Sequence, residues 1–259
     1  MRGHDRGLRG APGLVSPGAI LQGFLERVRG DRPVALATLI EGAGNIGSKM
    51  LLDPSGVVEG SFGDPEVDAA IRLFTNELFP SRKSASLEVN GARIFVAVHI
   101  PPPRLVIVGA VHIAITLGQL AKELGFRVIV CDARERFATP ERFPDVDELI
   151  LGWPNEVLPQ LRLDEFSFVV VVTHDAKLDN PALQAALQSP APYVGALGSK
   201  KTHARRLKAL REAGVSEADL MRIHSPIGLE IGASSPQEIA LATLAEVVAV
   251  RNRVRSLPE

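Results

Sequence analysis

A single cysteine in 259 residues leaves no partner for an intramolecular disulfide and no CxxC pair for a zinc site. Cys131 follows the aliphatic run Val128-Ile129-Val130 and reads as a small core residue. Excess charge is lacking too: 29 basic side chains stand against 30 acidic ones, so no general field favours nucleic acid or anionic lipid, and nucleic acid is not an expected partner. No apolar run approaches the roughly 18 residues of a membrane span. The start, M-R-G-H-D-R-G-L-R-G, carries charge with no apolar segment behind it, so the expected location is the cytoplasm, with no membrane association. What the chain has in quantity is apolar surface. At 46% hydrophobic it can bury a sizeable core, as one large domain or two modest ones.

The seam falls at Pro101-Pro102-Pro103, because three residues without backbone donors admit neither a helix nor a central strand. Residues 1–100 read as a small α+β domain. Its expected elements are a helix from Pro17 to Arg29, a strand from Val34 to Ile40, and a strand pair at Lys49 to Leu52 and Val57 to Glu59. A helix follows from the Asp64-Pro65 start to about Leu78, then a hairpin from Ala85 to Ile100 turning at Asn90-Gly91. Beyond the prolines, residues 104–259 alternate strands and helices, the pattern of a Rossmann-like parallel sheet covered on both faces. Strands are predicted at Leu105–Val108, Arg127–Cys131, Glu148–Leu151, Phe168–Val172 and Tyr193-Val194, with helices at His112–Leu124, Pro181–Gln188 and Thr202–Glu212. The last helix starts from the capping box Ser235-Pro236-Gln237-Glu238 and continues to Val250. The fold class is therefore α/β: a Rossmann-like C-terminal domain with a smaller α+β N-terminal one.

Ligands of open α/β sheets bind outside the carboxyl ends of the strands. Four such ends carry glycine or polar groups: Gly109-Ala110-Val111-His112, Asp132, Thr173-His174-Asp175, and Gly198-Ser199-Lys200. Gly109 permits the turn that aims the next helix at a ligand, and Asp132 stands where a dinucleotide fold keeps its ribose-binding acid. Against a dinucleotide stands Val111, which replaces the second glycine of G-x-G-x-x-G/A. Gly198-Ser199-Lys200 offers amides, a hydroxyl and an ammonium at a helix start, a suitable seat for a phosphate. A second glycine-bearing segment, with His224 and Gly228, precedes the last helix and is placed to close over the same crevice.

Plainer roles are open to each group. Asp175 can cap a turn, His174 can lie satisfied under a loop, Asp132 can be a strand-end acid, and Ser199 can be an ordinary N-cap before a solvated Lys200. His112, His174 and His224 lack H-x-H or H-x3-H spacing, so no metal site is expected of them. A Ser-His-Asp triad finds no G-x-S-x-G elbow, and adjacent His174 and Asp175 on an extended segment would face opposite ways, so no catalytic residue is assigned.

The combination V-G-A-V-H-I-A, T-H-D, G-A-L-G-S-K-K, H-S-P-I-G-L-E-I-G-A and S-P-Q-E-I-A-L resembles the C-terminal domain of the XdhC/CoxI family over residues 104 to about 252. Lys49-Met50-Leu51-Leu52 and Gly60-Ser61 resemble its N-terminal domain more loosely. The resemblance implies an accessory protein that binds the molybdenum cofactor (molybdopterin), protects it during sulfuration by a cysteine desulfurase, and helps insert it into a xanthine dehydrogenase-type hydroxylase. A homodimer is the assembly left open. Two positions depart from the family pattern: Glu66 occupies the place of the cysteine in G-G-C-x-E, and Val111 that of the glycine in Gly-Ala-Gly-His. A carboxylate does not replace a soft thiolate ligand. Two further readings therefore stay beside the chaperone: an NAD(P)-dependent oxidoreductase, with Asp132 on a ribose or Arg134 on a 2'-phosphate, and a degenerate docking scaffold.

Overall fold

The computed structural model describes residues 16–56 and 58–255. The charged start and Val57, which the sequence places in a strand, lie outside the described residues. Two compact units divide between Pro101 and Pro102.

The first unit is an antiparallel sheet with a helix on each face. Its elements are α1 (Pro17–Arg29), β1 (Val34–Glu41), β2 (Lys49–Leu52), β3 (Val58–Gly60), α2 (Pro65–Ser81), β4 (Ala85–Val89) and β5 (Ala92–His99). The strand order is β3-β2-β1-β5-β4. Side chains alternate across a strand, and β1 shows how that divides the core. Val34 and Leu36 pack with Ile20 of α1, while Ala35, Ala37 and Leu39 pack with Val67, Ile71 and Leu78 of α2. Ser16 accepts from the Ala19 amide and Asp64 from those of Glu66 and Val67, so both helices begin at side-chain caps followed by proline. In the stretch where the sequence carries Glu66, that side chain is exposed and meets Asn90, and it is Asp68 that ties the loop. Its carboxylate accepts from Ser61 Oγ at 2.6 Å and the Phe62 amide at 2.9 Å.

The second unit is a six-stranded parallel sheet. It comprises β6 (Arg104–Val108), α3 (His112–Glu123), β7 (Arg127–Asp132), β8 (Glu148–Leu151), α4 (Pro154–Gln160), β9 (Ser167–Val171), α5 (Ala176–Leu187), β10 (Tyr193–Ala196), α6 (Lys200–Glu212), α7 (Glu217–Leu220), β11 (Ile223–His224) and α8 (Pro236–Arg255). The strands run β11-β10-β9-β6-β7-β8, the doubly wound order whose direction reverses between β6 and β9. Continuous aliphatic runs form these strands because both faces are covered. Leu105, Ile107, Val128, Val130 and Val170 meet α3 and α8; Val106, Val108, Ile129, Val169, Val171 and Val194 meet α4, α5 and α6.

Several sequence expectations change. The helix predicted from Pro181 starts five residues earlier, at Ala176, because Asp175 accepts from the Lys177 amide and sets the cap. Pro181 sits inside that helix. The short α4, α7 and β11 were not anticipated, and α8 runs on to Arg255. Among the described residues no helix is long and apolar enough to cross a membrane.

Candidate functional site

The carboxyl ends of β6 and β9 flank the point where the strand order reverses, and two turns leave the sheet there in opposite directions. The first is Gly109-Ala110-Val111. Gly109 adopts φ +116°, and a Cβ on it would lie 2.9 Å from Cγ2 and 3.0 Å from the amide of Thr173. Only glycine lets the two turns approach so closely. Helix α3 then begins at His112, and Val111 at its N-cap position makes no side-chain cap, so the first amides find no acceptor in that side chain. His112 is exposed at its first position. Val111 itself is half-buried and packs against the apolar cluster beneath α3.

Asp132 ends β7 and is fully buried. Its carboxylate accepts from the Ala110 amide at 2.7 Å, from the Arg134 amide and Nε at 2.9 Å each, and from Arg134 Nη2 at 2.8 Å. Burial alone would raise its pKa, but the bonds from Arg134 and Ala110 prevail and hold it below the ordinary aspartate value. With four protein donors already on it, this carboxylate is not the open ribose acceptor that the sequence suggests. It fastens the first turn to the next strand. Arg134 is likewise engaged, and Asp132, Asp175 and Asp179 all raise its pKa. Cys131 behaves as the sequence predicts, buried, with burial first and Asp132 second pushing its thiol up to about 12.

The second turn is Thr173-His174-Asp175. His174 is exposed and left-handed, with φ +61°, so the segment is not extended and His174 is not covered by a loop. Asp175 is the α5 cap, 3.0 Å from the Lys177 amide. Thr173 is buried and donates from Oγ1 to Asp179 Oδ1 at 2.5 Å. Asp179 Oδ2 in turn accepts from Arg206 Nη2 at 3.0 Å, and the same Nη2 donates to the Leu197 carbonyl at 3.0 Å. A buried ion pair thus ties the loop after β9 to the loop after β10.

That third loop carries Gly198-Ser199-Lys200. Gly198 takes φ +149°, and Ser199 caps α6, accepting from the Thr202 amide at 3.2 Å. Lys200 is exposed. His224 and Gly228 belong to a separate network around Glu246 of α8. Glu246 accepts from His224 Nδ1 at 2.8 Å, from the Tyr193 hydroxyl at 2.6 Å and from the Gly228 amide at 2.8 Å. Asp132, Gly109 and Thr173 are therefore brought together, Gly198 is joined to them through Arg206, and His224 with Gly228 is tied to α8 instead. Among the described residues no three His, Cys, Asp or Glu side chains gather to hold a metal.

Sequence reasoning missed Asp179, Arg206 and Glu246. Arg206 lies in the run K-K-T-H-A-R-R-L-K, which reads as a solvated face; the signal was its spacing of four from Leu210, the other buried residue of α6.

A solved protein from Bacillus halodurans described as a xanthine dehydrogenase superposes with a TM-score of 0.53, covering 88% of this chain and 94% of that one at 20% identity, which supports the fold. A Bacillus subtilis 168 protein, named as a probable component of xanthine dehydrogenase, is 34% identical over 154 residues, 60% of this chain and 44% of that protein. The molybdenum cofactor insertion chaperone PaoD of Escherichia coli K12 is 39% identical over 90 residues, 35% of this chain and 28% of PaoD. The chain spans less than half the length of these curated relatives. Residues 105–247 match the XdhC Rossmann domain and residues 28–90 match the XdhC and CoxI family; with more than half of its length accounted for by the first match alone, the chain belongs to the XdhC/CoxI family.

Proposed function

We propose that the protein is a cytoplasmic accessory chaperone that takes the molybdenum cofactor as cargo and delivers it to a xanthine dehydrogenase-type hydroxylase. The observation that carries this reading is the 39% identity to a relative named as a molybdenum cofactor insertion chaperone. What supports a binding place is the switch point beside the Gly109 and Thr173 turns, where α3 has no side-chain cap and His112 and His174 are exposed. Uncapped helix amides at this point favour negative charge on a bound cargo. The described residues around the crevice offer no thiolate besides the inert Cys131, so the protein's grip is on the organic part of the cargo rather than on the metal. Shielding of the cargo during sulfuration by a cysteine desulfurase, and assembly as a homodimer, belong to the same proposal.

The NAD(P) oxidoreductase reading loses its ribose acceptor, since Asp132 is saturated by Arg134 and Ala110. Purification of the full chain from a host that makes the cofactor, followed by mass spectrometry of the released small molecules, tests the proposal. Recovery of a pterin carrying phosphate or nucleotide is expected; recovery of a nicotinamide dinucleotide instead would overturn it.

A further inference from the structure

Beside the switch point, helices α5 and α6 enclose a cleft of about 370 Å³, lined by His174, Asp179, Asn180, Thr202, Arg205 and Arg206. A volume of that size falls in the range of small-molecule sites. Arg206 is only 5% exposed, and its guanidinium is used asymmetrically. Nη2 donates to Asp179 and to the Leu197 carbonyl, whereas Nη1 is buried with no hydrogen-bond partner. That donor lies 3.7 Å from where a Cβ on Gly198 would be, beside Thr202. A buried N–H without an acceptor is destabilising, and an anion's oxygen removes the deficit.

The charge around it is consistent with an anion. Both oxygens of Asp179 are engaged, one by Thr173 and one by Arg206, so its charge is matched within the protein. Arg205, on the next position of α6, is exposed and makes no ion pair among the described residues. Asn180 adds a side-chain amide from the opposite helix.

We propose that this α5–α6 cleft is an anion subsite that takes a phosphoryl group, with Arg206 Nη1, Arg205 and Asn180 as its donors. The sequence places phosphate at Ser199-Lys200 instead, but Ser199 Oγ already serves the Thr202 amide and Lys200 is a solvated side chain. Resting on the cargo reading, the inference identifies the cleft as the seat of the phosphate-bearing end of the pterin. The subsite itself is tested without the cargo.

The full chain, labelled with 15N, is titrated with inorganic phosphate at constant ionic strength, following arginine Nε–H and asparagine side-chain signals. Saturable shifts at Arg205, Arg206 and Asn180 are expected. Arg205→Ala should weaken phosphate about tenfold, the size of one charge-assisted hydrogen bond, while Lys200→Ala should leave it within about twofold. Because Arg206→Ala would strand Asp179, Asn180→Ala provides the second variant, expected to weaken phosphate with the same fold. No saturable shifts in the cleft, or a loss on Lys200→Ala as large as on Arg205→Ala, overturns the subsite. Phosphate binding in the cleft with no pterin co-purifying would sustain the subsite and sink the cargo reading. Pterin recovered equally from wild type and Arg205→Ala would sustain the cargo reading and sink the cleft as the seat of the cargo's phosphate.

Discussion

Arg134 holds Asp132 by both carboxylate oxygens, at 2.9 Å and 2.8 Å, while the Ala110 amide completes the grip at 2.7 Å. The aspartate that a dinucleotide fold would present to a ribose is here a buried clasp between β7 and the turn that opens α3. A ligand at this crevice meets a preformed wall.

Removing Asp132 leaves a partly buried guanidinium and a buried amide unpaired. Asp132→Ala should cost about 3 kcal/mol, as for breaking a buried ion pair from one side. Urea unfolding measures this. A loss no larger than that of an ordinary surface substitution would show that the clasp is not structural.

Gly109→Ala places a methyl 2.9 Å from Thr173 at a φ of +116°. We expect more than about 1 kcal/mol of destabilisation from the backbone alone. The two turns should also part, read as shifted amide signals at Thr173 and His174. An unchanged spectrum would mean that the turns do not depend on this close approach.

Val111→Gly tests the oxidoreductase reading. The valine packs against the α3 cluster, so its removal should cost about 1 kcal/mol in lost burial. Calorimetric titration with NAD(H) and NADP(H) should show no tight binding before or after, because Asp132 stays saturated. A variant that gained tight dinucleotide binding would show that the valine alone stood in the way.

Glu246 gives the pH dependence its sign. Burial would raise its pKa, but bonds from His224, Tyr193 and the Gly228 amide prevail and hold it below the ordinary glutamate value. The unfolded chain therefore takes up the proton first as pH falls. Its contribution is fully present above the unfolded value of about 4.3 and is lost as pH drops through the depressed folded value. Glu246→Gln should flatten this part of the stability profile below about pH 4.5. A variant profile parallel to wild type would place the acid loss elsewhere.

The sheet was legible because period and punctuation agree: β8 falls on Glu148–Leu151 and α1 on Pro17–Arg29 as read from the residues. Helix α5 was misplaced because Pro181 looks like a start, whereas Asp175, six residues earlier, makes the cap. The candidate site was harder to read. Asp132 and Thr173 stood out by position at strand ends, yet their partners Arg134 and Asp179 follow from side-chain geometry that spacing does not encode. Arg206 was hidden because a basic run on a helix gives no sign that one member turns inward.

Delivery is the heart of the account. The cofactor-loaded chain, mixed with the cofactor-free form of a xanthine dehydrogenase-type hydroxylase and separated by gel filtration, reports it through the position of molybdenum and pterin. The account predicts that both leave the chaperone peak and appear with the hydroxylase, together with gain of hydroxylase activity. Pterin and molybdenum that remain with this chain, or that never associate with it, would contradict it.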